Sequence, residues 1–345
     1  MYDFLLILIL AALGLLAHVA KTRRWLEWIL RSVIVLIALL EGLSVFSTSA
    51  ELLMNPWTNA VLTWTMVTTL ASLLMPVRKV FSLLFSGIDL LFSGQLFVPL
   101  IKKNIRVIEH FQQYKVFVPS SIPHLIALFI YISTIAYLLL CIDLEAFKMP
   151  YMPLPIPLVL GQLLSYNGIG LIILSFCGVG IFISRPFKIA SQRLALVKPS
   201  KKQIGIGLLL IAGSFLYDYL WSLYTHGLPD QDLATKLSYY NSGTFAVAGG
   251  FTPSVILALA TALCAGIGEE TLIRGALQPA FGIVPAAVLH GMLHGQFAHA
   301  PIFIIQVALW STFMGIVKRY TNTTTTIIGH AGFNFVSTFL FAFNP

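Results

Sequence analysis

Charge is what this chain has least of. Only 10% of its 345 residues are Asp, Glu, Lys or Arg, 58% are hydrophobic, and mean hydropathy is +0.88. A soluble domain carries about 25% charged and roughly 45–50% apolar residues. A surface this poor in charge must meet lipid, which excludes an ordinary soluble fold. The apolar runs are also too long and continuous for a transmembrane β-barrel, which needs alternating segments of about 10 residues. Cysteine is scarce: Cys141, Cys177 and Cys264 lie apart, each in or beside an apolar stretch, with no Cys-x-x-Cys. They read as free buried thiols. No basic residue precedes the first apolar run, so a signal-anchor helix is expected rather than a cleaved signal peptide. Acidic residues nearly vanish from the last third, where Glu269 and Glu270 are the only ones after Asp232.

What is present is a series of apolar runs long enough to be membrane spans. They fall at Phe4–Ala20, Trp25–Phe46, Trp57–Met75, Pro123–Cys141, Leu158–Ile183, Ile204–Leu223, Phe251–Arg274, Ile283–His299, Ile302–Val317 and Thr324–Phe343. The predicted fold is therefore all-α, a polytopic transmembrane bundle of about nine or ten spans. The formal net charge of +8 comes from short clusters between the runs, including Lys21–Arg24, Arg78–Lys79, Lys102–Arg106, Arg185–Lys202 and Lys318–Arg319. Such clusters mark cytoplasmic loops, so the basic excess reports topology and no nucleic-acid partner is expected. The run Val80–Ile101 is basic at both ends and interrupted by Asp89, which predicts an interfacial or re-entrant segment. The basic loop Ser184–Gln203 divides an N-terminal transmembrane region, residues 1–195, from a C-terminal core, residues 196–345.

That core holds the candidate chemistry. Ionisable groups at membrane depth are costly and usually mark chemistry or an ion path. In Glu269-Glu270-Thr271-Leu272-Ile273-Arg274, helical spacing sets Arg274 four residues after Glu270, where the two can pair. Glu269 is turned about 100° away. A carboxylate without a cation and with little water suits a general base. His290 and His294 share helical spacing, but Gly291 stands where a His-Glu-x-x-His zinc helix carries its glutamate. His290 and His299 taken singly read more simply as hydrogen-bonded packing groups. His330 and Asn334, again four apart, supply donors where an oxyanion would develop, or a polar pair between helices.

Glu-Glu-x-x-x-Arg, a histidine on the next apolar run and His-x-x-x-Asn on the last one together resemble the CAAX protease and bacteriocin-processing (CPBP, or Abi) intramembrane endopeptidases. The resemblance covers about Thr252–Phe343, and the basic stretch Arg193–Ser200 is similar to a segment preceding the family's core. It implies that Glu269 activates water with help from His294, that His330 and Asn334 stabilise the oxyanion, and that Glu270 and Arg274 support the site. His290 stands where the family's second motif, Phe-x-x-x-His, has phenylalanine, and is a possible additional site residue or third nitrogen ligand. The chemistry is open between a glutamate-activated water alone and a divalent metal such as zinc. The implied partners are a peptide or membrane-protein substrate, lipidated or unmodified, and the lipid bilayer. The implied location is a bacterial inner membrane, with the site toward the cytoplasmic half. Two other classes remain: a non-proteolytic protein of the same fold acting in bacteriocin immunity or partner binding, and an ion or proton transporter.

Overall fold

The computed structural model describes residues 2–47, 56–94, 114–141, 159–226, 244, 250–294 and 301–343. Gly295, His299, Asp230, Asp232 and the basic cluster Lys102, Lys103 and Arg106 lie outside the described residues. The described chain is helical, and its sole β feature is an isolated bridge between Ile181 and Arg185. This is an integral membrane protein, and lipid dictates its architecture, because each backbone N–H and C=O must find its partner within the segment.

Twelve helices are used below: α1 (Tyr2–Ala20), α2 (Arg24–Ser47), α3 (Pro56–Ser72), α4 (Met75–Phe92), α5 (Ile122–Cys141), α6 (Leu160–Gly178), α7 (Phe187–Arg193), α8 (Lys201–His226), α9 (Phe251–Phe281), α10 (Ile283–Met292), α11 (Pro301–Tyr320) and α12 (Thr323–Phe343). Among the described residues six helices are long and apolar enough to cross a bilayer, or seven if the bent pair α3–α4 counts as one span. The bend is 104°. Pro76 sits in the first turn of α4, where a missing N–H costs nothing. The sequence reading of a full span to Met75 followed by a re-entrant segment thus becomes one sharply broken pair. Cys141 is exposed rather than buried, while Cys264 is buried.

Two of the expected spans change length. The run ending at Arg274 continues to Phe281, through a π-helical stretch at Thr271–Leu277 and a final turn at Gln278–Phe281. The next helix, α10, has only 10 residues. At 1.5 Å per residue it reaches about half of a bilayer core of roughly 30 Å. His294 therefore lies just beyond its end, its N–H bonded back to the Gly291 carbonyl at 3.1 Å.

A buried carboxylate makes the corner between α9 and α10. Gly282 turns the chain at φ +93°, a conformation other residues resist. The next N–H, of Ile283, donates to Asp89 Oδ1 at 2.7 Å. Asp89 is fully buried and also meets Arg319 and the Tyr114 hydroxyl. One α4 side chain thereby ties the start of α10 to the end of α11. Asp89→Asn keeps an acceptor for Ile283 but removes the counter-charge to Arg319. It should cost about 2 kcal/mol, the value of a charge-assisted hydrogen bond, read as a lower melting temperature of the protein in detergent.

Candidate active site

Five helices surround one buried polar cluster: α6, α9, α10, α11 and α12. The α9 and α12 backbones approach closely, where a Cβ on Gly266 would lie 2.7 Å from the Ala331 Cβ. Small residues at such a crossing let backbones approach, which is how membrane helices associate without a hydrophobic driving force.

The two adjacent glutamates of α9 have different surroundings. Glu270 is fully buried. It accepts from His330 Nδ1 at 3.0 Å and lies 3.4 Å from the Arg274 Nε. Arg274 is itself only 1% exposed, so the pair predicted from i, i+4 spacing forms across the start of the π-helical turn. Glu269 faces the other way. Its side chain is 12% exposed against 0% for Glu270. Oε2 accepts from His290 Nε2 at 2.9 Å, and Oε1 accepts from the Asn167 amide at 3.2 Å.

The tautomer of His290 follows from its partners. A carboxylate can only accept and a guanidinium can only donate. His290 Nε2 therefore carries the proton toward Glu269, and Nδ1 accepts from Arg274 Nη1 at 3.4 Å, with the Ser311 hydroxyl 3.1 Å away. His294 Nδ1 donates to the His290 carbonyl at 3.0 Å, leaving Nε2 with its lone pair. Ligand-capable atoms of Glu269, His290 and His294 lie within 4.8 Å of one another. Trp310 packs edge-on against His330, with ring centres 4.9 Å apart, and the His290 and His330 rings are 5.8 Å apart.

Of the residues singled out in the sequence, Glu269, Glu270, Arg274, His290, His294 and His330 come together here. Asn334 lies one turn beyond His330 on α12, half-buried, and its side chain makes no hydrogen bond among the described residues. Two further members had gone unremarked. Ser311 on α11 lies against His290, and Asn167 belongs to the stretch assigned to the N-terminal region. The available signal for Asn167 is an amide within the apolar run Leu158–Ile183, which also holds Gln162. Asn167 sits in a second π-helical stretch, Leu163–Gly170. Single π turns inside α-helices often mark functional positions, and this one packs against α9, whose own π-helical stretch begins two residues after Glu269.

Gly268 shows how tight that junction is, because a Cβ there would run into the Asn167 backbone carbonyl. Gly268→Ala forces α6 and α9 apart and should cost about 2 kcal/mol, as for overpacking elsewhere. A melting curve of the purified variant gives the check, and an unchanged midpoint would contradict this account of the junction.

The protein-family model described as type II CAAX prenyl endopeptidase Rce1-like matches residues 251–336. That segment begins at α9 and ends within α12, so it contains Glu269, Glu270, Arg274, His290, His294, His330 and Asn334. Residues 251–336 thus carry a domain of the CAAX protease (CPBP) family, set in a helical membrane protein. No curated protein and no solved structure matches the chain.

Proposed function

We propose that this chain is an intramembrane endopeptidase that hydrolyses a peptide bond at or within the membrane. The observation that carries the reading is the state of Glu269. It is a partly exposed carboxylate held by one donor on each oxygen, and a ligand-capable atom of His294 lies within 4.8 Å of it. A water between Glu269 and His294 gives its proton to the carboxylate as its oxygen attacks the scissile carbonyl. Protonated Glu269 then returns the proton to the departing amine. His290 does not touch the water in this scheme; its Nε2–H fixes the Glu269 carboxylate. His330 has its Nδ1 proton on Glu270, so an oxyanion donor at Nε2 requires the imidazolium, for which Glu270 supplies the counter-charge. Asn334, on the same face of α12, offers the second donor.

Two imidazoles and a carboxylate are a suitable number of ligands for zinc. The hydrogen bonds are less suitable. With Arg274 on Nδ1, His290 holds its proton on Nε2 and has no lone pair there for a metal. That leaves Glu269 and His294 as the available ligands, so the scheme runs on these two residues alone. Metal content of the purified protein and the effect of a chelator on cleavage test that choice. The substrate class is a peptide or membrane-protein segment. The family is one of prenyl endopeptidases, and we extend a prenylated C-terminus to this chain as a candidate substrate. The loops rich in Lys and Arg support a site toward the cytoplasmic half of the membrane, which we take to be a bacterial inner membrane.

The direct test compares C-terminal peptides from membranes carrying wild type or Glu269→Gln. Wild type should generate new C-termini that the variant does not, and identical fragment sets would remove the protease reading.

A further inference from the structure

The family match begins at residue 251, yet the carboxylate it contains is held on one side by a residue 102 positions earlier in the chain. Asn167 Nδ2 donates to Glu269 Oε1, while His290 Nε2 donates to Oε2. One donor per oxygen, from helices on different sides, fixes both the tilt and the rotation of the carboxylate plane. The backbone is shaped around this contact. Asn167 lies midway in a π-helical stretch, which turns its side chain out of the ordinary helical register. Gly268, adjacent to Glu269, leaves room for the Asn167 carbonyl where any other residue would put a Cβ. The Cys264 side chain fills the next position, 3.1 Å from where a Gly168 Cβ would stand. A contact serving only to pack α6 on α9 would need no amide aimed at a carboxylate.

We propose that Asn167 is a positioning residue for Glu269, and that α6, from outside the family domain, completes the catalytic site. This rests on the reading of Glu269 as the general base. Asn167 holds Oε1 so that the carboxylate keeps one lone pair free for the attacking water. The first half of the chain thereby has a catalytic purpose beyond membrane anchoring.

The experiment uses the full chain in lipid vesicles and two internally quenched peptides, one with a farnesylated cysteine fourth from its C-terminus and one without the farnesyl group. Asn167→Asp preserves shape but faces a carboxylate with a carboxylate. Turnover should fall about 100-fold, the upper part of the range for a hydrogen bond to a charged group, with KM within about twofold of wild type. Asn167→Ala should fall about tenfold. Asn167→Gln, which restores an amide donor, should recover to within about fivefold of wild type. The split between kcat and KM, together with rescue by Asn167→Gln, separates positioning of Glu269 from a packing role.

Wild-type turnover in Asn167→Asp and Asn167→Ala, with Glu269→Gln inactive, overturns this inference alone. So does a loss that merely tracks the fraction of protein folded. Cleavage by Glu269→Gln at the wild-type rate, or no cleavage of either peptide by wild type, overturns the protease reading and this inference with it.

Discussion

Glu269→Gln is expected to reduce turnover by about 10³-fold, within the range for removing a general base, while the protein melts within a few degrees of wild type. The substitution is nearly isosteric. Its carbonyl oxygen can still accept from Asn167, so the contact between α6 and α9 survives. What disappears is a proton acceptor: an amide cannot take the proton of water at any pH in which the protein is folded. The same change at Glu270 has a different character. Glu270 is fully buried against His330 and Arg274, so Glu270→Gln leaves Arg274 without its counter-charge and should lower stability as well as turnover. Measuring kcat and melting temperature on both variants separates the two carboxylates. Equal loss of stability in both would contradict the assignment of Glu269 as base and Glu270 as support.

The second large effect concerns stability. Arg274→Met should destabilise the protein by about 3–5 kcal/mol, because removing one partner of a buried pair leaves an uncompensated charge. Arg274 is one of the largest fully buried side chains in the molecule. Its Nη1 also donates to His290, so the substitution removes the group that fixes the His290 tautomer. The double variant Glu270→Leu/Arg274→Met eliminates both charges and should regain most of the lost stability without regaining turnover. Thermal melting in detergent reads the first effect, and peptide cleavage the second. A double variant no more stable than Arg274→Met alone would show that the pair is not what holds this part of α9.

The all-helical membrane fold was legible because scarcity of charge leaves few alternatives, and so was the family of residues 251–336, because Glu-Glu-x-x-x-Arg and His-x-x-x-Asn survive as strings. The ion pair of Glu270 with Arg274 followed from helical spacing alone. Other features were not local. The run Ile283–His299 reads as one span, but the helix stops at Met292, and hydropathy does not register where a helix ends. The position of His290 was legible, but its partner was not: nothing in the string says that its Nε2 meets Glu269 while Nδ1 meets Arg274. Asn167 was the hardest to see, being one amide in an apolar run and 102 residues from its partner.

By itself, then, the order of residues determined the solvent this protein lives in, the helical state of its backbone and the short-range pairs within α9. Each of these follows from composition or from contacts within one or two turns. The tertiary structure alone decided which glutamate stays partly exposed, which nitrogen of His290 carries the proton, and that α6 reaches the site at all. Those outcomes depend on how helices distant in sequence pack. Two π-helical stretches and glycines at the crossings set that packing, and neither leaves a periodic mark in the chain.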